Sequence, residues 1–190
     1  MQNSAYEELI IILNILESEL PRFVDGKEAI LEMRREGSRN WRQMEWIGFW
    51  FEHFVEQKVI PKVGAQRGPT YGTTEFDLQR NFVWDLKAHP LESRNLILND
   101  QAAIKQCIQS ESGLGFIVIS GQTQYDDASQ SFKIWHDAQK GGSSESKLGA
   151  EPYWPGRSGR PPPDAWFQGS GDSSVVFPPH RLALSSGEDC

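Results

Sequence analysis

The first third of the chain places its apolar residues at the three- and four-residue spacing of helices. A first helix is predicted after Ser4, which caps it together with Glu7 three residues later, and Pro21 ends it. A second, shorter helix is predicted over 27–35, and a third, capped by Ser38, over 41–60 up to Pro61. The chain is therefore expected to begin with three helices.

The period of the pattern changes after residue 72. Residues 73–78 and 81–89 are short β-prone runs, and the polar residues between them predict an antiparallel hairpin. An amphipathic helix follows, with Asn99 or Asp100 as its cap, and then a continuous apolar run over 115–120 that is typical of a strand covered on both faces. This order predicts an α/β fold in which helices pack on a sheet.

The last third of the chain carries a weaker signal. Residues 131–140 fit a helix or a strand equally well, and 141–173 read as a long polar loop rich in Gly, Pro and Ser. Short apolar runs over 175–177 and 181–185 are candidates for closing strands. We expect one domain over 1–190, made of N-terminal helices (1–37), a core (38–121) and a C-terminal extension (122–190).

Composition fits an ordinary globular domain and excludes several classes of protein. The chain has 190 residues, of which 38% are hydrophobic and 24% charged, so it can form a core. Its two cysteines cannot form a disulfide framework, and they show no zinc-ligand spacing. The chain has no apolar run of about 20 residues and no basic segment before the first apolar stretch, so we expect a cytoplasmic protein without a membrane partner.

The net charge leaves the partner open. A value of −7 argues against a protein that simply coats DNA. However, an enzyme that collects carboxylates to bind a divalent metal can be acidic overall and still present a local basic rim. The charge is uneven in this way, because residues 1–57 are acidic and residues 58–94 carry a small positive excess.

The predicted hairpin carries charges inside an apolar run. Strand alternation puts Asp85 and Lys87 on one face and Leu86 on the other, and the hairpin can bring Asp77 beside them. Buried charges are costly unless they are paired or metal-bound. The two carboxylates and the carbonyl of Leu86 would suit Mg²⁺, with Lys87 beside a phosphate. The alternative is an ordinary ion pair on a half-exposed hairpin.

This arrangement resembles the PD-(D/E)XK nuclease superfamily, which includes most type II restriction endonucleases. Asp77 corresponds to the first acid of the motif, and Asp85-Leu86-Lys87 to the (D/E)-x-K. Phe76 replaces the usual proline, and the gap between the acids is short. The resemblance implies a restriction-endonuclease-like core, with a central mixed β-sheet flanked by helices. It also implies a Mg²⁺-dependent endonuclease that cuts double-stranded DNA as a homodimer.

The family often places a further acid on the preceding helix. The segment from Gly48 to Glu52 resembles its G-x-x-x-E pattern, in which a small residue lets the helix approach the sheet. Glu52 is therefore the first choice as a catalytic residue and metal ligand. Glu45 lies almost on the same helical face and is the alternate, and Glu56 follows Glu52 by one turn.

Four basic residues are candidates for DNA contacts. Lys62 and Arg67 lie in the segment before the hairpin and are placed to contact phosphates. Arg157 and Arg160 lie among aromatic residues in the long polar loop, where they could read base edges. The alternative for this pair is a solvated loop with no role in recognition.

Two other functions are compatible with the same residues. One is a DNA repair or junction-resolving nuclease of the same fold, which a strongly basic surface would favour and which this composition does not support. The other is a catalytically inert DNA-binding module. Intact Asp77, Asp85 and Lys87 argue against the inert module, because such a copy has no use for buried charge.

Overall fold

The computed structural model describes residues 4–126, 130–141 and 170–176. The helices are α1 Ala5–Glu19, α2 Gly26–Arg35, α3 Trp46–Lys58, α4 Ile60–Val63, α5 Gln101–Ser110 and α6 Ser131–Gln139, with a 3₁₀ turn Arg39–Arg42 between α2 and α3. The strands are β1 Phe23–Asp25, β2 Thr70–Tyr71, β3 Thr74–Glu75, β4 Leu78–Gln79, β5 Val83–Pro90, β6 Leu114–Asp126 and β7 Ser170–Val176.

Five strands form a mixed sheet in the order β1-β7-β6-β5-β4, and β2 and β3 form a separate small hairpin. Strands β5 and β6 run parallel, joined by a connection that contains α5, whereas the other neighbours run antiparallel. The prediction of a mixed α/β architecture is confirmed at this level. The sequence pattern did not indicate β1, which is only three residues long.

The predicted start of the chain is confirmed in detail. The Ser4 hydroxyl accepts a hydrogen bond from the Glu7 amide at 3.2 Å, and the Glu7 carboxylate accepts one from the Ser4 amide at 3.0 Å. Helix α2 is capped by Asp25, whose carboxylate accepts two amide hydrogen bonds. Gly37 then turns the chain in the left-handed region, at φ +81°.

The predicted third helix is wrong in its extent. Ser38 caps only the 3₁₀ turn, and α3 begins eight residues later at Trp46. Pro61 does not end the helical part of the chain either. It lies in the first turn of α4, where amide hydrogens have no helical acceptor, so the missing amide hydrogen of proline loses no hydrogen bond. The shorter α3 packs on β5 and so brings its own side chains to the sheet.

The predicted hairpin is confirmed where its two strands pair next to the turn. Leu78 pairs with Trp84 and Gln79 with Val83, so β4 and β5 are antiparallel neighbours. The expected first strand over 73–78 is split, because its first part pairs with β2 as β3. The break leaves Asp77 between β3 and β4, outside the regular ladder.

The core lies between the helical layer and the sheet. Ile12, Ile30 and Phe51 supply fully buried side chains from α1, α2 and α3, and Leu86 and Ile117 supply them from β5 and β6. The apolar run at 115–120 is buried on one face and half-buried on the other, rather than fully covered on both. This core fixes the position of β5, which carries the candidate site.

The last third contributes one helix and one strand to the described structure. The pattern of residues 131–140 fits a helix or a strand, and the structure shows a helix, α6, over 131–139. Residues 175 and 176 of the strand predicted at 175–177 belong to β7, whereas residue 177 lies outside the described residues. Strand β7 begins at Ser170, so the predicted loop is wrong over 170–173, and β7 lies between β1 and β6 rather than at an edge. The candidate strand at 181–185 and most of the 141–173 loop lie outside the described residues. None of the described helices is long and apolar enough to cross a membrane.

Candidate active site

Asp77 is held against the middle of β5. Its Oδ2 accepts a hydrogen bond from the Leu86 amide at 2.7 Å. The N–H and C=O of one strand residue point to the same side, so the carbonyl of Leu86 also faces Asp77. The break between β3 and β4 thus sets a carboxylate and a backbone carbonyl beside each other.

Asp85 is almost completely buried, with 1% of its surface exposed. Its Oδ1 accepts a hydrogen bond from the Asn99 side-chain amide at 2.8 Å. Its Oδ2 lies 2.5 Å from the ammonium of Lys87, in an ion pair that lacks hydrogen-bond geometry. The prediction that Asp85 and Lys87 share a face of the strand is confirmed.

Glu52 lies on the face of α3 that packs toward β5 and is half-buried. Burial raises the pKa of its carboxyl to about 7, the charges of Asp85 and Glu75 add to the rise, and the charge of Lys87 opposes it. The three acids Glu52, Asp77 and Asp85 therefore interact in one place, although they come from three separate elements.

The pKa of Asp77 is raised further than that of Glu52. Burial raises the pKa of Asp77 to about 8, and the nearby Glu52 charge adds to the rise. The hydrogen bond from the Leu86 amide works in the opposite direction, because it stabilises the ionised carboxylate. At neutral pH the cluster therefore retains protons, which a cation would displace on binding.

Glu52 and Asp77 open into a cleft with a volume of about 660 Å³. The lining residues come from the segment after α2 and the 3₁₀ turn, from α3 and α4, and from the residues around β3. Charged and polar side chains dominate the lining, which comprises Glu36, Gly37, Ser38, Arg39, Asn40, Phe49, Glu52, His53, Glu56, Gln57, Ile60, Arg67, Glu75, Phe76 and Asp77. A polar cleft of this size can admit a charged ligand to the carboxylates.

Among the described residues, no three His, Cys, Asp or Glu side chains converge closely enough to form a metal centre by themselves. The donor chemistry nevertheless fits Mg²⁺, which is usually held by one or two carboxylates and keeps several waters. Asp77 and Asp85 supply the carboxylates, and the carbonyl of Leu86 faces the same side. The buried Oδ2 of Asp85 already has the ammonium of Lys87 beside it, so a metal bound there would share this oxygen with Lys87.

The three candidate helix acids lie in different surroundings. Glu45 precedes α3 and is exposed, outside the lining of the cleft. Glu56 lines the cleft but accepts three hydrogen bonds from Arg67, at 2.7, 2.8 and 3.2 Å. Glu52 lines the same cleft, where burial and the charge of Asp85 raise its pKa. The expected role of Gly48 is wrong, because a Cβ there would meet no atom within 4 Å.

The structure places the four predicted DNA contacts unevenly. Arg67 lines the cleft, where its guanidinium pairs with Glu56 and lies 3.7 Å from Glu75. Lys62 is outside the cleft lining and pairs with Glu19 at 2.6 Å. Arg157 and Arg160 lie outside the described residues. The assignment of these four to DNA stays a prediction.

Asn99 is the site residue that sequence reasoning missed. It was considered only as a helix cap, a role that Asp100 performs by accepting hydrogen bonds from two amides of α5. Asn99 instead donates to Asp85, fourteen residues earlier. The sequence does contain a signal for this role. Asn99 and Asp100 are adjacent residues that can each cap a helix, and one helix start needs only one of them, so the other is free for a different contact.

Comparison of the chain with protein-family models, curated proteins and solved structures finds no match.

Proposed function

We propose that the protein is a Mg²⁺-dependent endodeoxyribonuclease with a restriction-endonuclease-like core, and that it acts as a sequence-specific type II restriction enzyme. One observation carries the proposal. Glu52 and Asp77 line a polar cleft, and their pKa values are raised by burial and by neighbouring charges that include Asp85 of β5. Lys87, also of β5, pairs with Asp85, so three separate segments bring these four groups together. Such pKa shifts concentrate at functional sites.

The carboxylates of Asp77 and Asp85 and the carbonyl of Leu86 would hold the cation directly, and Glu52 would be an outer ligand that acts through the waters of the cation. A bound divalent cation would supply positive charge against the negative charge that develops on the scissile phosphate. The chain itself orients the ligands: the Leu86 amide holds Asp77, and Asn99 fixes one oxygen of Asp85. Fixed ligands reduce the reorganisation needed during the reaction.

Lys87 is the group that would act on the substrate side. Its ammonium keeps 21% of its side-chain surface exposed, whereas its partner Asp85 is buried. A phosphate entering the cleft could share this ammonium, which would then orient the attacking water and offset charge on the phosphate. We therefore assign turnover, rather than the main part of DNA affinity, to Lys87.

A homodimer suits this function, because two copies related by a two-fold axis can cut both strands of a palindromic site. The proposed substrate is accordingly double-stranded DNA.

The test is incubation of plasmid and phage DNA with the purified chain and Mg²⁺, compared with the variants Asp77→Ala, Asp85→Ala and Lys87→Ala. Each variant should lose on the order of 10²–10³-fold or more in cleavage rate, the scale seen when one charge-stabilising group is removed. Glu28→Ala, which removes an exposed acid of α2 outside the cleft lining, is the matched control and should cut normally.

The pattern of products separates the alternatives. Discrete bands support a restriction enzyme, whereas smearing or preference for branched DNA favours a repair or junction nuclease. An intact protein that binds DNA but cuts none of these substrates with Mg²⁺ or Mn²⁺ contradicts the proposed activity and favours the inert binding module. Unchanged cutting by Asp77→Ala or Asp85→Ala would remove the metal assignment.

A further inference from the structure

An exposed cluster of arginines surrounds the segment that enters the cleft, and one of them, Arg39, lines it. The segment 34–42 holds four arginines and one glutamate, in a chain whose net charge is −7. Residues 1–57 as a whole are acidic, so averaging over that region hides the cluster. All four arginines are exposed. Their positions are Arg34, Arg35, Arg39 and Arg42.

The structure leaves these charges without acidic partners. In the part of the chain that is described, none of the four arginines forms an ion pair. The two nearest acids in the sequence are engaged elsewhere: Glu36 contacts His53 at 2.8 Å, and Glu32 accepts a hydrogen bond from the Trp50 indole at 3.1 Å. Four like charges within nine residues repel one another, and an anionic ligand would relieve that repulsion.

Two of the arginines are held in place by an aromatic ring. The guanidinium groups of Arg34 and Arg42 lie 5.1 and 5.0 Å from the ring centre of Trp41. Trp41 is itself buried, and its carbonyl accepts a hydrogen bond of 2.7 Å from the ring of His136. Stacked guanidinium groups lose less rotamer freedom when they bind an anion.

The same segment leads into the cleft. Gly37 turns the chain after α2, and Ser38, Arg39 and Asn40 then line the same cleft as Glu52 and Asp77. The positive charges of Arg34 and Arg35 suit their position in the last turn of α2, where the helix dipole is negative. The helix dipole of α2 does not explain the positions of Arg39 and Arg42, which lie in the 3₁₀ turn.

We propose that the arginine cluster, defined as Arg34, Arg35, Arg39 and Arg42, binds the sugar-phosphate backbone of a DNA duplex and guides it into the cleft. This inference rests on the proposed nuclease function and names a contact surface for its substrate. The cluster acts through charge, so it supplies affinity and orientation without base recognition. It also explains how an acidic chain can hold a polyanion.

The test measures binding of a fluorescein-labelled 30-base-pair duplex by anisotropy, in EDTA, between 50 and 200 mM salt. The double variant Arg35→Gln/Arg39→Gln leaves the two stacked arginines in place. Loss of two phosphate contacts should weaken binding about tenfold or more at the lower salt and reduce the slope of log K against log salt by about 2. Arg35→Lys/Arg39→Lys should restore most of the affinity, because a phosphate contact needs mainly charge.

The matched control is Arg22→Gln/Arg94→Gln, which removes the same charge from two exposed arginines outside the cleft. It should leave the affinity and the slope close to those of the unmodified protein. Equal weakening by both double variants, or no weakening by Arg35→Gln/Arg39→Gln, overturns the inference. Polyglutamate that displaces the duplex as well as unlabelled DNA of equal charge also overturns it.

Cleavage measured on the same proteins separates the two proposals. If the unmodified chain cuts DNA while Arg35→Gln/Arg39→Gln binds it normally, the arginine cluster is wrong and the nuclease stands. If binding depends on the cluster as described but no protein cuts with Mg²⁺ or Mn²⁺, the cluster stands and the nuclease is wrong.

Discussion

Two regions of this protein bury acidic side chains, and they treat them in opposite ways. Glu8 of α1 is fully buried and accepts hydrogen bonds from the Asn81 amide and side chain, the Phe82 amide and the Trp84 indole, at 2.7–3.4 Å. The cluster of Glu52, Asp77 and Asp85 instead sets acids beside one another, with few donors and raised pKa values on two of them.

The difference separates a structural acid from the acids that we propose to be functional. Four donors from the β4–β5 turn and β5 satisfy Glu8, which ties α1 to the hairpin that carries the site. The cluster is electrostatically unfavourable in the folded protein and gains from any cation that enters it. Burial alone would not distinguish the two, whereas the count of donors does.

The largest expected effect is on Glu8. The variant Glu8→Ala leaves buried donors, among them the Trp84 indole, without an acceptor, so the free energy of unfolding should fall by about 3–5 kcal/mol. Urea denaturation followed by tryptophan fluorescence measures this loss. Glu45→Ala, which removes an exposed acid, should change stability by less than about 0.5 kcal/mol. Similar losses in the two variants would mean that Glu8 is not an anchor.

Asp77→Asn should change stability in the opposite direction. The folded pKa of about 8 lies above the ordinary value of 3.8, so the stability that protonated Asp77 contributes is complete below pH 4 and is lost as the pH rises through 8. Asparagine cannot ionise and can still accept the Leu86 hydrogen bond. Since each pKa unit corresponds to about 1.4 kcal/mol, the melting temperature at pH 8.5 should rise by at least about 3 °C.

Thermal melts at pH 4, 6 and 8.5 test this sign. The gain from Asp77→Asn should be small at pH 4 and grow toward pH 8.5, with Glu45→Gln as the control for net charge. A gain that does not depend on pH would contradict the clustered charge as its cause.

Glu52→Gln should give the smallest of the three effects and the same sign as Asp77→Asn. The folded pKa of Glu52, about 7, is closer to its ordinary value of 4.5. The stability that protonated Glu52 contributes is therefore smaller, and its loss with rising pH is complete once the pH has passed about 7. The same variant should raise the Mg²⁺ concentration for half-maximal cleavage far more than Glu45→Gln does. The opposite ranking would transfer the helix acid to Glu45.

The elements with strong local signals were predictable from the sequence. The Ser4–Glu7 capping box and the β4–β5 hairpin depend on residues close in the chain, and both are confirmed. The shared face of Asp85 and Lys87 follows from strand alternation alone. The end of α2 near Gly37 was equally local, because a left-handed turn there favours glycine.

The remainder depends on contacts between distant parts of the chain. Glu8 reads as one of several acids on an amphipathic helix, and its partners lie more than seventy residues away. Asn99 reaches Asp85 only because α5 begins beside β5. The net charge of residues 1–57 is negative and does not reveal the arginine cluster, because its four positive charges all lie within the nine residues 34–42.

The position of β7 in the sheet has a consequence for synthesis on the ribosome. Strand β1 forms near the start of the chain, yet its described sheet neighbour is β7, about 150 residues later. The helices and the β5–β6 pair can assemble while translation continues, but β1 cannot join the sheet until residue 176 has emerged from the exit tunnel. Emergence of β7 is therefore the event that joins β1 to the sheet, and a nascent chain that has not yet reached residue 170 carries the acid cluster on a sheet without its β7 and β1 strands.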